Sequence, residues 1–237
     1  MVQEKKIKIA VILAGGLGKR LMPLTKNIPK SLIRINKKPF LGYIIDNLSR
    51  AGITKFLIVY RNNKKKFERF LKKYKFKAKL IPQPIPLGTG HALLLVKNLV
   101  SNKPFFVMAG DQLFSVRDLS NFINSNSTAT IGAYHAKDSR KYGLLSTNPY
   151  GFLKRIIEKP PKKISGYVNV SLYKSNRKIF RYLSKIQLSE RKEYELTDAF
   201  SMMAKQEKII IYKLKDYWID LGHIKDIPAI EIKLKNL

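Results

Sequence analysis

The chain has 237 residues, of which 45% are hydrophobic and 27% charged, which is typical of a globular protein and not of a disordered one. It contains no cysteine, so disulfides and thiolate zinc sites are excluded and any metal must bind oxygen or imidazole ligands. The formal net charge is +31, from 47 Lys and Arg against 16 Asp and Glu. Such an excess attracts polyanions in a salt-dependent way.

A chain of this length can bury most of its apolar surface as one unit, and we expect a single domain over residues 1–237. The sequence has no apolar run of about 18 residues, the length that a membrane span needs. Residues 1–6 lead straight into the first strand and leave no room for a cleaved signal, so we expect a cytoplasmic protein. The lysines are spread along the chain without a zinc-finger, basic-zipper or RNA-recognition motif, and we interpret most of them as solvated faces.

The first predicted element is a buried strand, Ile7 to Leu13, that ends in the glycine-rich turn Ala14-Gly15-Gly16-Leu17-Gly18. Glycines let backbone N–H groups approach an anion closely, and Arg20 and Lys30 follow to balance its charge. The sequence therefore predicts a phosphate loop at the carboxyl edge of a parallel sheet. Position 21 is leucine where both common glycine-rich phosphate motifs require glycine, so the loop belongs to neither.

Strands and helices then alternate, a pattern typical of a doubly wound parallel sheet with right-handed crossovers. We predict a strand at 31–35, a helix at 41–51, a strand at 55–60, a helix at 64–73 and a strand at 78–81. A proline-stiffened loop from Gln83 follows, and it leads into a helix for which Thr89 is the predicted N-cap and His91 a first-turn residue.

The next strand, 104–111, ends in Gly110-Asp111, and beyond it the pattern contains more strands than helices. Asp118 and either Thr197 or Asp198 are predicted to cap helices. We predict strands at 128–136, from 142, at 152–158, at 167–173 and at 208–213, and a final amphipathic helix at 224–234.

Several motifs, in order along the chain, resemble those of the sugar-1-phosphate nucleotidyltransferases, the NDP-sugar pyrophosphorylases. They are the glycine loop through Lys30, Gln83 to Ala92, Gly110-Asp111, Glu158-Lys159-Pro160 after Tyr142-Gly143, and Trp218 to Gly222. The resemblance implies an α/β fold: a Rossmann-like, doubly wound, mostly parallel mixed sheet flanked by helices, with a small β-rich sugar-covering portion in the second half. It implies a nucleotide-binding half at about 1–110 and a sugar-phosphate-binding half at about 111–237. The hexapeptide repeats of the family's longer members are absent from this sequence, so we expect no C-terminal β-helix domain.

The resemblance also implies an enzyme of the EC 2.7.7 type that condenses an NTP with a sugar 1-phosphate and releases pyrophosphate. The metal would be Mg²⁺, held by Asp111 and Asp220. Arg20 and Lys30 are then assigned to the triphosphate and Lys159 to the sugar phosphate, as the catalytic cations. The nucleotide-binding residues implied are Leu13, Ala14, Gly15, Gly16, Gly18, Gln83, Gly88 and Thr89. The sugar-phosphate-binding residues implied are Gly143, Glu158, Lys159 and Asn169.

The identity of the substrates stays open at this point. The amide of Gln83 offers a donor and an acceptor, which suits the N3–H and O4 of uracil or thymine, so UTP or dTTP is favoured. Glucose 1-phosphate or N-acetylglucosamine 1-phosphate is the favoured acceptor, and guanylyl transfer to mannose or heptose 1-phosphate is the alternative. Three residues depart from the family pattern: Lys19 replaces Thr or Ser, Ser31 replaces the usual proline, and Ser171 replaces a glycine.

An alternative hypothesis, of a different functional class, is that the protein is a non-catalytic relative that senses sugar nucleotides or binds nucleic acid through its positive surface. Beyond non-specific electrostatic attraction, we do not expect nucleic acid as a partner. A homo-oligomer is compatible with the sequence.

Overall fold

A computed structural model describes residues 7–237, and the predicted lead into the first strand, residues 1–6, lies outside them. Within residues 7–237 there are thirteen strands: β1 Ile9–Leu13, β2 Arg34–Ile35, β3 Lys38–Pro39, β4 Lys55–Tyr60, β5 Ala78–Pro82, β6 Phe105–Ala109, β7 Gln112–Phe114, β8 Thr130–Ala136, β9 Gly143–Thr147, β10 Leu153–Glu158, β11 Gly166–Ser175, β12 Ile210–Lys213 and β13 Trp218–Asp220. The α-helices are α1 Phe40–Arg50, α2 Lys64–Tyr74, α3 Gly88–Leu94, α4 Val116–Asn124, α5 Ile179–Leu183, α6 Leu196–Met203 and α7 Ile227–Lys235.

Nine of the strands form one mixed sheet in the order β10-β9-β11-β6-β1-β4-β5, with β8 pairing β11 and β12 beside this path. The first-half strands of this sheet are parallel, since β1 pairs in parallel with both β4 and β6 and β4 pairs in parallel with β5. In the second half β11 runs antiparallel to β6, β8 and β9, and β10 is antiparallel to β9. The expected mixed sheet flanked by helices is therefore confirmed.

The core lies on both faces of this sheet, because successive side chains of a strand point to opposite faces. On β1, Ala10 and Ile12 pack into one apolar cluster with α1, α2, α4 and α7, whereas Val11 packs into the other with α3, α5 and α6. All three side chains are fully buried. This central position of β1 places the residue after it at the middle of the sheet's carboxyl edge.

Three predicted caps are wrong. Ser115 is the N-cap of α4 and its hydroxyl accepts the N–H of Asp118 at 3.0 Å, while the Asp118 carboxylate accepts backbone N–H groups of Lys215 and Asp216. Neither Thr197 nor Asp198 caps α6; its first N–H, on Leu196, donates to the hydroxyl of Thr89 at 3.0 Å. Thr89 therefore caps a helix 107 residues further along the chain and does not cap its own.

Two element predictions also change. The predicted strand at 31–35 is a 3₁₀ turn, Lys30–Leu32, followed by the two-residue strand β2, and this turn directs Lys30 towards the sheet edge. The predicted final helix begins as a 3₁₀ turn, Ile224–Asp226, before α7, and Pro228 stands in the first turn of α7, where a missing N–H costs nothing.

A buried lysine connects strand β11 to the C-terminal end of helix α4. Lys174 on β11 is 1% exposed, and its ammonium donates to the carbonyl oxygens of Phe122, Ile123 and Ser125 at the C-terminal end of α4. Helix C-termini carry unpaired carbonyls and a partial negative charge, which suits a cation. Burial nevertheless lowers the pKa of Lys174 to about 8.

Candidate active site

The glycine loop begins where β1 ends, and its shape depends on two glycines. A Cβ on Gly15 would lie 2.7 Å from the Gln83 Oε1 atom, so only glycine fits there without moving that side chain. Gly18 has φ +63°, in the left-handed region that favours glycine, and its carbonyl accepts the Thr25 hydroxyl at 2.8 Å. The loop is thereby folded back over the carboxyl edge of the sheet.

The loop forms one wall of a cavity of about 430 Å³, which we call the glycine-loop cavity. Its other walls are the end of β6 and the turn that leads into α3. Seven of the eight predicted nucleotide-binding residues line it; Gly18 does not, and it acts through the turn. The lining residues are Leu13, Ala14, Gly15, Gly16, Leu17, Lys19, Lys30, Ser31, Gln83, Pro86, Gly88, Thr89, Ala92, Ala109, Gly110, Asp111 and Glu193.

Two polar groups of this cavity have a buried side chain. Gln83 is 4% exposed; its Nε2 lies 3.0 Å from the Gly88 carbonyl oxygen and 3.1 Å from His91 Nδ1. Ser31 is 2% exposed, and its hydroxyl has no hydrogen-bond partner within residues 7–237. A buried hydroxyl without a partner is costly, so this side of the cavity is suited to a polar ligand.

A second cavity, of about 550 Å³, lies under the antiparallel half and shares Asp111 with the first. We call it the carboxylate cavity, because four acidic side chains line it. Three of the four predicted sugar-phosphate residues, Gly143, Glu158 and Asn169, are among its lining; Lys159 is exposed and is not. The lining residues are Arg20, Asp111, Gln112, Lys141, Tyr142, Gly143, Glu158, Asn169, Ser171, Asp220, His223, Lys225 and Asp226.

The floor of the carboxylate cavity depends on close backbone packing. Gly143 pairs with Glu158 across β9 and β10, and a Cβ on Gly143 would lie 3.0 Å from the Glu158 carboxylate and 2.7 Å from Ile156. Ser171 has φ +56° where the pairing register of β11 with β8 shifts, and its N–H donates to Asn169 Oδ1 at 3.0 Å. Serine, at the position where the family pattern has glycine, thus adopts a left-handed conformation in this chain.

Asp111 and Asp220, 109 positions apart in the sequence, are brought together by a two-stranded ribbon. β7 and β13 pair antiparallel with Asp220 opposite Gln112. The amide nitrogen of Gln112 donates to Asp220 at 2.9 Å and lies 3.3 Å from Asp111, and its oxygen accepts the indole N–H of Trp218 at 2.5 Å. Lys30 reaches the other oxygen of Asp111 at 2.5 Å.

Neighbouring charges shift the pKa of Asp220 in opposite directions. Burial raises the pKa of Asp220 above its usual range, and the neighbouring Asp111 carboxylate raises it further, while Lys30, Gln112 and Arg20 act in the opposite direction. Two carboxylates in one partly buried place fit a divalent cation, and Mg²⁺ commonly takes one or two carboxylates together with phosphate oxygens. In the described part of the chain no cluster of three or more acidic or histidine side chains surrounds a metal position. The remaining ligands of a bound Mg²⁺ would therefore come from substrate phosphates and water.

Neighbouring cations of the loop face different cavities. Arg20, assigned to the triphosphate from the sequence, lines the carboxylate cavity, where its guanidinium lies 3.4 Å from the His223 ring. Lys19 lines the glycine-loop cavity together with Lys30. Each cavity therefore has at least one cation from this segment in its lining.

Comparison with known proteins agrees with this geometry. The model of the Nucleotidyl transferase family matches residues 9–236, which is nearly the whole described chain. The chain belongs to this family. The resemblance to the sugar-1-phosphate nucleotidyltransferases is thereby confirmed.

Among its relatives within the nucleotidyl transferase family, the chain is 38% identical over 216 residues to a bifunctional sugar-1-phosphate nucleotidylyltransferase/acetyltransferase of Sulfurisphaera tokodaii, covering 90% of this chain and 52% of that protein. It is 35% identical to the bifunctional protein GlmU of Methanococcus aeolicus, covering 96% and 55%. The chain thus spans about half the length of these two relatives.

Two further members of the family match over almost their full length. One is the UTP–glucose-1-phosphate uridylyltransferase AglF of Haloferax volcanii, 29% identical over 96% of each chain. The other is a crystal structure of UDP-glucose pyrophosphorylase complexed with UDP-glucose, with a TM-score of 0.86 and 25% identity over 97% of this chain and 99% of that one. None of the helices within residues 7–237 is both long and apolar enough to cross a membrane.

Several residues of this nucleotidyl transferase site were not predicted from the sequence. Gln112 joins the two aspartates, His223 contacts Arg20, and Glu193 lines the glycine-loop cavity from a loop that precedes α6. Gln112 had a usable signal, since it directly follows Asp111 in a short apolar strand. His223 had a similar signal, since it directly follows the motif Trp218 to Gly222, whereas Glu193 reaches the site only through the tertiary fold.

Proposed function

We propose that this chain transfers a nucleotidyl group from an NTP to the phosphate of a hexose 1-phosphate, in a Mg²⁺-dependent reaction that releases pyrophosphate. The observation that carries the proposal is that two cavities, one walled by a glycine loop and the other by carboxylates, meet at Asp111. A transfer between two phosphates needs two sites that open onto one point, because the reacting oxygen and phosphorus must approach within contact distance.

The NTP is assigned to the glycine-loop cavity. The loop's backbone N–H groups and the ammonium groups of Lys19 and Lys30 face the triphosphate, and the buried hydroxyl of Ser31 gains a partner there. Successive backbone N–H groups in such a turn form a concave anion-binding site. Gln83 lines the same cavity, and its amide is assigned to the base.

The sugar 1-phosphate is assigned to the carboxylate cavity. Glu158 accepts hydrogen bonds from sugar hydroxyls and Asn169 is held beside it by its bonds to Ser171 and Tyr173. Arg20 faces the sugar phosphate from the loop side.

In the reaction, an oxygen of the sugar phosphate attacks the α-phosphorus of the NTP in line. The bond from the α-phosphorus to the bridging oxygen breaks, and pyrophosphate leaves with that electron pair. The protein contributes position and charge: Lys19 and Lys30 stabilise the negative charge that grows on the leaving group, and Arg20 holds the sugar phosphate. When bound by Asp111 and Asp220, Mg²⁺ supplies further neutralisation of the phosphates.

Uridylyl or thymidylyl transfer to glucose 1-phosphate or N-acetylglucosamine 1-phosphate is the favoured version, supported by the activity for which the Haloferax volcanii relative is named and by the UDP-glucose complex of the structural neighbour. The test is a matrix of NTPs and sugar 1-phosphates with Mg²⁺, followed by pyrophosphate release. We expect turnover above background with UTP or dTTP and one of the two sugars, and loss of turnover when EDTA replaces Mg²⁺. Guanylyl transfer to mannose 1-phosphate would show that the favoured substrates are wrong while the reaction type is right. No turnover of any pair, together with nucleic-acid binding that persists at physiological salt, would overturn the proposal.

A further inference from the structure

The amide of Gln83 can be oriented from its surroundings alone. One terminal atom of this side chain lies 3.0 Å from the carbonyl oxygen of Gly88. A carbonyl oxygen only accepts hydrogen bonds, so the atom that faces it must be the amide nitrogen. Gln83 is 4% exposed and its backbone N–H is bound to the Tyr60 carbonyl, which leaves the side chain little freedom to move away.

The same nitrogen lies 3.1 Å from Nδ1 of His91. Because this nitrogen donates, Nδ1 must accept, and the proton of the neutral imidazole is then on Nε2. We infer that His91 is a positioning residue: its unprotonated Nδ1 holds the Gln83 amide in one orientation. A rotation of the amide by half a turn would place Oε1 against two acceptors, the Gly88 oxygen and His91 Nδ1.

This orientation determines what the amide presents to a ligand. Both N–H groups of the amide are used inside the protein, so Oε1 is the atom that remains for a base. Oε1 faces the glycine loop, since a Cβ on Gly15 would lie 2.7 Å from it. From the sequence we expect Gln83 to offer the base both a donor and an acceptor. In the structure it offers only the acceptor, Oε1.

An acceptor at this place selects a class of nucleobase. Uracil and thymine present an N3–H and guanine an N1–H, whereas cytosine and adenine present a lone pair at the corresponding ring nitrogen, and two acceptors repel each other. The inference rests on the proposed function. It specifies that the NTP substrate has a base with a ring N–H, as in uracil, thymine or guanine. His91 acts through Gln83, with no contact of its own to the reacting phosphates.

The test compares His91→Leu with His91→Asn in the full chain. Leucine keeps the volume but removes the acceptor, whereas the Oδ1 of asparagine can occupy the place of Nδ1 and accept. The quantity measured is the ratio of kcat/KM for UTP to that for CTP. We expect His91→Leu to lower this ratio about 10-fold, the worth of one hydrogen bond, and His91→Asn to restore it to within about 3-fold of the parent. A His91→Leu ratio equal to that of the parent, or an asparagine variant no better than the leucine variant, overturns the inference.

Equilibrium binding of UTP and CTP by calorimetry separates this inference from the proposed function. If no sugar phosphate is turned over but the binding ratio falls in His91→Leu and recovers in His91→Asn, the inference stands and the transfer activity fails. If UTP is turned over and neither ratio responds to His91, the activity stands and the inference fails. Binding of neither nucleotide by the parent chain overturns the inference.

A measurement on the unaltered protein covers the case in which His91→Leu does not fold. Nitrogen-15 NMR of the histidine rings distinguishes the two tautomers. We expect an unprotonated Nδ1 and a protonated Nε2 on His91. A proton on Nδ1 contradicts the inference without any variant.

Discussion

The two cavities that meet at Asp111 are built in different ways. Backbone and small side chains form most of the glycine-loop cavity, through Ala14, Gly15, Gly16 and Gly88. Charged and amide side chains form most of the carboxylate cavity. Backbone N–H groups are the same whatever the side chain, so the first cavity suits the triphosphate that all NTPs share. Side chains change with substitution, so the second is where a family can change its acceptor.

The difference follows from the sheet. The parallel strands β1 and β6 end side by side at one edge, and their loops turn back closely over it. The antiparallel strands β9, β10 and β11 alternate in direction and present their side chains along their length. Asp111 follows β6 at the border between the two arrangements, so it contributes to both cavities.

The largest effect is expected at this border. Asp111→Asn should lower kcat on the order of 10³-fold, because it removes a charge that both cavities share and leaves the ammonium of Lys30 without its carboxylate partner. Pyrophosphate release measures it, and a thermal melt shows whether the variant is folded. Asp46→Asn is the matched control, since Asp46 on α1 pairs with Lys38 on β3 and lies outside both cavities. A folded Asp111→Asn variant within about 10-fold of the parent rate would contradict the border role.

The next effect separates the two cavities. Arg20→Ala should lower kcat/KM on the order of 10²-fold and raise the KM of the sugar phosphate, whereas Lys19→Ala should raise the KM of the NTP. Steady-state kinetics with each substrate varied in turn measures both. Arg34→Ala, on the exposed side of β2, serves as the control. If both variants raise the same KM, the assignment of the two cations to two cavities is wrong.

A third prediction concerns pH and the antiparallel half. The pKa of Lys174 is lowered from 10.5 to about 8 by burial, so between these values the unfolded chain binds more protons than the folded one and stability rises with pH. The free energy of unfolding should increase by about 1.5 kcal/mol between roughly pH 8 and pH 9.5. Above about pH 10 the rise should reverse, because burial raises the pKa of Tyr173 and the unfolded chain loses that proton first.

Urea unfolding at a series of pH values tests this sign. Lys174→Met should abolish the rise, whereas Lys79→Met, at an exposed position, should retain it. A rise of equal size in the Lys174→Met variant would show that other groups cause it.

The smallest effect is expected at Ser171, whose left-handed backbone costs more for serine than for glycine. Ser171→Gly should stabilise the protein by about 1 kcal/mol, which raises Tm by about 2–4 °C, and should change the KM of the sugar phosphate alone. Lys37→Gly is the matched control, since Lys37 has φ +67° outside both cavities. A lower Tm in the Ser171→Gly variant, or an equal change in the KM of the NTP, would contradict the assignment.

The comparison also explains what the sequence could predict. The glycine loop is a contiguous segment, so its position at the carboxyl edge of the sheet was predictable from its own residues. Seven lining residues of its cavity were implied by the family resemblance, and three of them, Gln83, Gly88 and Thr89, lie outside the loop. The carboxylate cavity collects residues from distant segments, and its motifs were found by resemblance to a family. Its internal contacts, such as the Gln112 bridge between Asp111 and Asp220, depend on strand register. Register is set by tertiary packing and is not visible in a single segment.

The caps illustrate the same limit at a smaller scale. Ser115 and Asp118 are three residues apart, and the spacing alone contains the information that serine is the cap. Thr89 and Leu196 are joined only after the sheet has formed. A rule based on sequence spacing can find the Ser115–Asp118 cap but cannot find the contact between Thr89 and Leu196.

The last strand of the parallel half, β5, pairs along one side with β4 and lies at the end of the sheet in the described part of the chain. An open strand edge invites a second copy of the same protein to extend the sheet, and lysines on the strand oppose this by mutual repulsion. Lys77 and Lys79 are exposed there, within a molecule whose net charge is +31. At physiological ionic strength, dissolved salt largely screens the repulsion between exposed charges that are more than about 8 Å apart. The protein should therefore stay dispersed in dilute buffer and associate edge to edge as salt is added, so that its unusual charge serves solubility.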